Sequence, residues 1–366
     1  MNSEFQIRDT LQPLIPPLTS LGAFWLRRSA SVQIFLAFAL LFAKNGFDIE
    51  LRNIQEAYLP GSLLFPEPAG YFSASFGQVA FANILNLTNT TTWIVAHTVL
   101  TVVILGFIFL LIVKNRNTDR SYMILVIVAT TSAAAVLISI GKYDIFTFGG
   151  GAILVLARSN WVACIGALLM ASGNPEQALL VSISLLILTR LQTFKTFRAR
   201  AWIALAVSLL SWIAVQFWFL RSDLDQGRLS LIPKFLGESL SNMVTDPLLQ
   251  IWAWLGVGWI IVLVALILMK KNERIVVMAS VIAIPALASV VTADGARVFG
   301  AIALPSFLLI SSWLVNEKIK PSKFAETAVG VFVIALLLLP TTLEKPGWFD
   351  GQIRGRLMSV TSQALN

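Results

Sequence analysis

The chain has 366 residues, of which 57% are hydrophobic and 13% charged, with a mean hydropathy of +0.80. Soluble domains carry about 25% charged residues, so the composition excludes a water-soluble enzyme or binding module and points to a helical membrane protein. The net charge of +8 does not indicate a nucleic-acid partner, because the basic residues are spread over short loops and form no single patch.

Residues 1–31 are polar and proline-bearing and are expected to form a cytoplasmic N-terminal segment with no cleavable signal. A short apolar run at 32–43 follows as an uncleaved first span, and then a long outer loop at 44–92. Such a long loop is unusual beside the short connections elsewhere and is where function is expected. Within it, Leu51, Ile54, Tyr58 and Leu59 have helical spacing, and so do Phe72, Phe76, Val79, Ala80, Ile84 and Leu87. The spacing predicts two interfacial helices, over 49–59 and 72–87.

Further spans are predicted at 92–113, 121–140, 201–220, 251–269, 275–292, 299–315 and 324–340. The stretch 145–189 divides at Arg158-Ser159-Asn160 and Ser172-Gly173-Asn174-Pro175-Glu176 into three runs, which are read as three short crossings. Gly149-Gly150-Gly151 lies inside the first of them and reads as a site of close helix packing or a helix interruption, rather than a phosphate cradle. The fold expected is therefore all-α, a single polytopic transmembrane bundle over 1–366 of about eleven spans, with an outer tail at 342–366.

Basic residues recur in alternate loops: Arg27 and Arg28, then Lys114, Arg116 and Arg120, then Arg190 to Arg200, then Lys270 to Arg274, then Lys318 to Lys323. The positive-inside rule makes these loops cytoplasmic, which puts the N-terminus inside and the C-terminus outside, as in a bacterial plasma membrane. Trp93, Trp218, Trp252, Trp254 and Trp348 then fall at outer boundaries, and Trp25, Trp202 and Trp313 at inner ones, as an interfacial belt.

Asp48 and Glu50 stand where the first span emerges, and a carboxylate held there has the position of a general base. A solvated loop acid is the plainer alternative for either residue. Lys142, Asp144, Arg221, Asp294 and Arg297 also belong to outer loops. Arg297 directly precedes an apolar run, so its guanidinium is expected at headgroup depth, either on a lipid phosphate or as a snorkelling anchor. His97, the sole histidine, lies about one turn below the outer boundary of its span, and Glu176 opens a helix after Asn174-Pro175. No phosphate-binding loop, dinucleotide fingerprint, nucleophile elbow or His/Cys metal spacing is present.

This layout resembles the polytopic glycosyltransferases of the GT-C fold class. The resemblance is carried by Asp48-Ile-Glu50, the two loop helices, Gly141-Lys142-Tyr143-Asp144, the short helices around Ser172 to Glu176, and Asp294-Gly295-Ala296-Arg297. It implies transfer of a sugar from a polyprenyl-phosphate donor to a glycan or lipid acceptor of the cell envelope, at the outer face of the membrane. Asp48, or Glu50 in its place, would be the base. Arg297, Lys142 and Arg221 would bind the donor phosphate, with His97, Asp144, Asp294 and Glu176 as further site candidates. No cofactor is required by this reading, and a divalent cation is compatible with it. The alternatives are a transporter or flippase of a lipid-linked or polar solute, and a non-catalytic assembly factor.

Overall fold

The computed structural model describes residues 15–45, 49, 74–114, 120–130, 133, 136–137, 140–221, 232–245, 247–292, 295–318 and 323–339. Residues 50–59 of the expected helix at 49–59 and the tail at 342–366 lie outside them. The described residues are helical with no strand, as the composition predicts. Four helical stretches are long and apolar enough to cross a membrane: Thr90–Lys114, Gln192–Arg221, Lys271–Val290 and Gly295–Glu317. A bent pair, Ile15–Leu26 and Ala30–Phe42, passes the same test jointly, and five shorter apolar helices accompany them.

In chain order the first helices are α1 (Ile15–Leu26), α2 (Ala30–Asn45), α3 (Phe76–Ile84), α4 (Thr90–Lys114) and α5 (Arg120–Val128). Three short helices follow, α6 (Asp144–Leu156), α7 (Asn160–Gly173) and α8 (Pro175–Leu188). A 3-10 turn, Gln192–Phe197, leads into α9 (Arg198–Arg221), followed by α10 (Ile232–Thr245), α11 (Pro247–Leu255) and α12 (Gly258–Leu268). The last group is α13 (Lys271–Met278), joined through a π-turn to α14 (Ile284–Val290), then α15 (Gly295–Trp313) and α16 (Lys323–Leu338).

Several elements depart from the sequence expectation. The segment read as polar contains α1, which runs alongside α16 at near backbone contact: a methyl added at Gly22 would overlap the Glu326 carbonyl, and one at Gly330 the Leu18 carbonyl. A hydroxyl contact between Thr19 and Thr327 at 2.6 Å and the ion pair from Arg27 to Glu326 tie the same two helices. The chain bends by 117° between α1 and α2. Buried Gln33 holds that corner, its amide donating to the Trp25 carbonyl at 2.9 Å and to the Ser121 hydroxyl at 2.6 Å. The Trp25 indole donates to the Ser121 carbonyl at 2.8 Å, which brings α5 into the same network.

The expected span 121–140 is not one continuous helix. α5 stops at Val128, and the Thr130 hydroxyl donates back to the Ile127 carbonyl while accepting from the Ala133 amide. The run 251–269 is likewise broken, by Gly256 at φ 54°, a left-handed conformation that a side chain disfavours. Helix α10 was not anticipated at all; it occupies part of what was read as a loop.

The core is organised around α6 and α15. Every residue of α6 is buried, and 89% of the α15 apolar window is buried, against 33% for α4 and 28% for the other two long stretches. The triple glycine makes the central position of α6 possible. Gly149 faces the Ile104 side chain of α4, Gly150 faces the backbone of Met170 and Gly166 in α7, and a Cβ on Gly151 would lie 3.0 Å from Pro305 Cγ in α15. Without hydrophobic expulsion from water, helices in lipid associate by this kind of close contact, so small residues mark the interfaces. The glycine run is therefore a packing device and not an interruption, since the helix continues through it.

The interfacial belt holds in part. Trp202 is 57% exposed, but Trp25, Trp93, Trp218, Trp254 and Trp313 are buried within the protein. Each offers a large apolar body for packing, and Trp25 and Trp313 also place their N–H groups on protein acceptors.

Candidate functional site

One end of the bundle gathers polar side chains from several elements. Gly141, at φ 97°, starts the turn that leads through Lys142 and Tyr143 into α6. This left-handed conformation is the reason for glycine there. The turn delivers Asp144 to the first turn of α6, where a carboxylate is favoured by the helix dipole.

Asp144 receives a hydrogen bond from Arg297, on the first turn of α15, at 2.7 Å between Nη1 and Oδ2. The pair is largely withdrawn from solvent, the side chains being 12% and 7% exposed for Arg297 and Asp144. The Arg297 guanidinium also lies over the Tyr143 ring, 5.8 Å from its centroid. Two residues chosen separately from the sequence thus meet, across 153 positions of chain.

Helix α3 lies against this turn. Buried Gln78 donates from its amide to the Gly141 carbonyl, and Gly77 approaches Ser172 at the end of α7. At the junction of α7 and α8, Asn174 is buried and its side-chain oxygen accepts from the Gln177 amide N–H at 3.0 Å, an N-cap for α8. Gly173 contacts Thr147 of α6, so this junction also sits at the Asp144 end. Glu176 occupies the first turn of α8 there and is half-buried. Lys142 is half-buried in its turn.

His97 lies on α4, wholly buried, between Trp93 at 4.0 Å and Phe81 at 5.2 Å between ring centroids. Its Nδ1 is 3.1 Å from the Trp93 carbonyl. Phe81 in turn reaches Phe146 of α6, so the histidine belongs to the wall beside the Asp144 turn. Arg221 is exposed at the end of α9, two residues beyond Phe219, which packs with Ala74 just before α3.

Asp48, Glu50 and Asp294 lie outside the described residues. Ile49, between the two acids in the sequence, is described: it is buried, forms a parallel bridge with Ile140, and packs in a cluster with Ala82, Leu87 and Trp93.

Three residues that sequence reasoning passed over are Gln78, Thr147 and Gln177. Each is buried at this end and carries a side-chain oxygen with no hydrogen-bond partner among the described residues. The histidine Nε2 shares that condition. Buried polar atoms in folded proteins are almost always satisfied, so unpaired acceptors at one end of a bundle mark a place for a polar ligand or water. The signal for Gln78 was present in the sequence, as an amide off the apolar face of a helix whose polar side is expected toward the bundle or water. Gln78 is buried, while Ile84 of the apolar face is 69% exposed. No group of three or more His, Cys, Asp or Glu side chains that could hold a metal occurs among the described residues.

Set against protein-family models, curated proteins and solved structures, the chain matches none of them.

Proposed function

We propose that the chain is a polytopic membrane glycosyltransferase of the GT-C type, transferring a sugar from a polyprenyl-phosphate donor to a glycan or lipid acceptor at the outer face of a bacterial plasma membrane. The observation that carries the reading is the buried Asp144–Arg297 pair at the end of the bundle where Ile49 meets Ile140. A guanidinium whose direction is fixed by a carboxylate is preorganised for a phosphate, and preorganised charge is what a departing anion requires. The acids of the first loop flank Ile49 in the sequence, which makes Asp48 the proposed base and Glu50 its substitute.

In the proposed reaction Asp48 takes the proton of the acceptor hydroxyl, and that oxygen attacks the anomeric carbon of the donor sugar. The bond from that carbon to the phosphate oxygen breaks, and the polyprenyl phosphate leaves with the electron pair, its charge met by Arg297 and Lys142. The acceptor oxygens of Gln78, Thr147 and Gln177 suit a ligand rich in hydroxyl donors.

The test is transfer or donor hydrolysis by purified, lipid-reconstituted protein against a panel of polyprenyl-phosphate sugars, with Asp48→Asn beside the wild type. The expected result is turnover that disappears in Asp48→Asn with the melting temperature unchanged. A folded protein that turns over none of the donors, or a fully active Asp48→Asn, would end this reading.

A further inference from the structure

At the opposite end of the bundle is a cavity of about 560 Å³ that takes no part in the site above. Asp144 and Leu156 are the two ends of α6, about 18 Å apart at 1.5 Å per helical residue. The cavity opens beyond Leu156, between the end of α6, the 3-10 turn before α9, and the last turn of α15. Its volume is that of a small-molecule site rather than a packing defect.

The walls divide by chemistry. Val155, Phe194 and Leu309 form an apolar part, while Thr193, Thr196 and Asn316 bring hydrogen-bonding groups. Two arginines line the cavity against one acid, Glu317, whose carboxylate accepts the Trp313 indole N–H at 2.8 Å. Arg200 is committed to the backbone, donating to the Val155 carbonyl at 3.4 Å and the Arg158 carbonyl at 3.2 Å. It neutralises the negative end of α6, which would otherwise repel an anion. The Arg158 side chain has no such commitment among the described residues and is exposed at the cavity.

Two tryptophans place this mouth relative to lipid. Trp161, 82% exposed, is three residues beyond Arg158, and Trp202, 57% exposed, is two beyond Arg200. Indoles left outside an apolar bundle occupy the headgroup level of a bilayer. A half-apolar cavity with a free guanidinium at that level has the complement of a phosphate carried on acyl chains. We propose that this cavity binds the phosphate headgroup of an anionic membrane lipid, with Arg158 as its cationic contact. The site is separate from the proposed transfer site and stands or falls without it.

The experiment uses the full chain in nanodiscs of phosphatidylcholine doped with phosphatidylglycerol, reading retained lipid by native mass spectrometry and the melting temperature in parallel. The expected result is selective retention of phosphatidylglycerol, weakened about tenfold by Arg158→Gln, as for one lost charge-assisted hydrogen bond. Lys195→Gln, at an exposed lysine of the same 3-10 turn that does not line the cavity, should change retention by less than about twofold. Thr196→Trp should expel the lipid by filling the space while leaving Arg158 in place. Equal retention of both lipids, or equal losses in Arg158→Gln and Lys195→Gln, would overturn the proposal in favour of diffuse surface charge. A further arm adds inorganic phosphate in phosphatidylcholine discs; Arg158-dependent protection by phosphate, with none from phosphatidylglycerol, would overturn the lipid assignment and leave a soluble phosphate as the ligand.

Discussion

Removing both members of the Asp144–Arg297 pair should destabilise the bundle by less than the sum of removing each alone. At 2.7 Å and an effective dielectric constant of about 20, the gross attraction is about 6 kcal/mol. Most of that is offset by the cost of withdrawing two charges from water, so the pair itself contributes little net stability. A single substitution is different, because it takes away the opposite charge 2.7 Å from a charge that stays buried. Asp144→Asn and Arg297→Met should each cost about 3–5 kcal/mol. The double variant removes both charges and should cost less than the two together, with a coupling of about 2–3 kcal/mol. The assay is a double-mutant cycle in mixed micelles, unfolding by titration with sodium dodecyl sulfate and following helical circular dichroism. Single effects that add to within about 0.5 kcal/mol would refute the claim that these side chains act as one buried unit.

Gly150→Leu should cost more than about 3 kcal/mol, beyond ordinary overpacking, because the new side chain meets the backbone of α7, which cannot rotate away; an unchanged unfolding midpoint would contradict the contact. Gln78→Leu should cost about 1 kcal/mol by removing the hydrogen bond from the Gln78 amide to the Gly141 carbonyl, and should lower any transfer activity with it; limited proteolysis and turnover measured together would check this. With Cys164 changed to serine, Thr19→Cys with Thr327→Cys should form an intramolecular disulfide under mild oxidation, since the two hydroxyls lie 2.6 Å apart. A failure to cross-link, read by gel mobility, would separate α1 from α16.

Much of this protein was decided by its sequence. Long apolar runs divided by charged loops gave the helical class, and the breaks at Arg158 to Asn160 and Ser172 to Glu176 located α6, α7 and α8, because Ser159 and Asn174 supply the caps that start α7 and α8. Gly149 to Gly151 announced close packing, since only glycine permits backbone contact from several sides. Asp144 and Arg297 were each visible as candidates because a charge beside an apolar run must have a reason.

Which helix lies at the centre was decided only in three dimensions. In a membrane the lipid-facing side of a helix is as apolar as the packed side, so hydrophobic spacing does not tell inside from outside. Ile84 is 69% exposed, while Gln78 and His97 are buried. The bend held by Gln33, Trp25 and Ser121, the seam between α1 and α16, and the meeting of Asp144 with Arg297 join segments separated by between 8 and 308 positions. Contacts over such distances depend on how the helices stack, and helix stacking in lipid is chosen by shape and by scattered polar pairs, which leave no periodic trace along the chain.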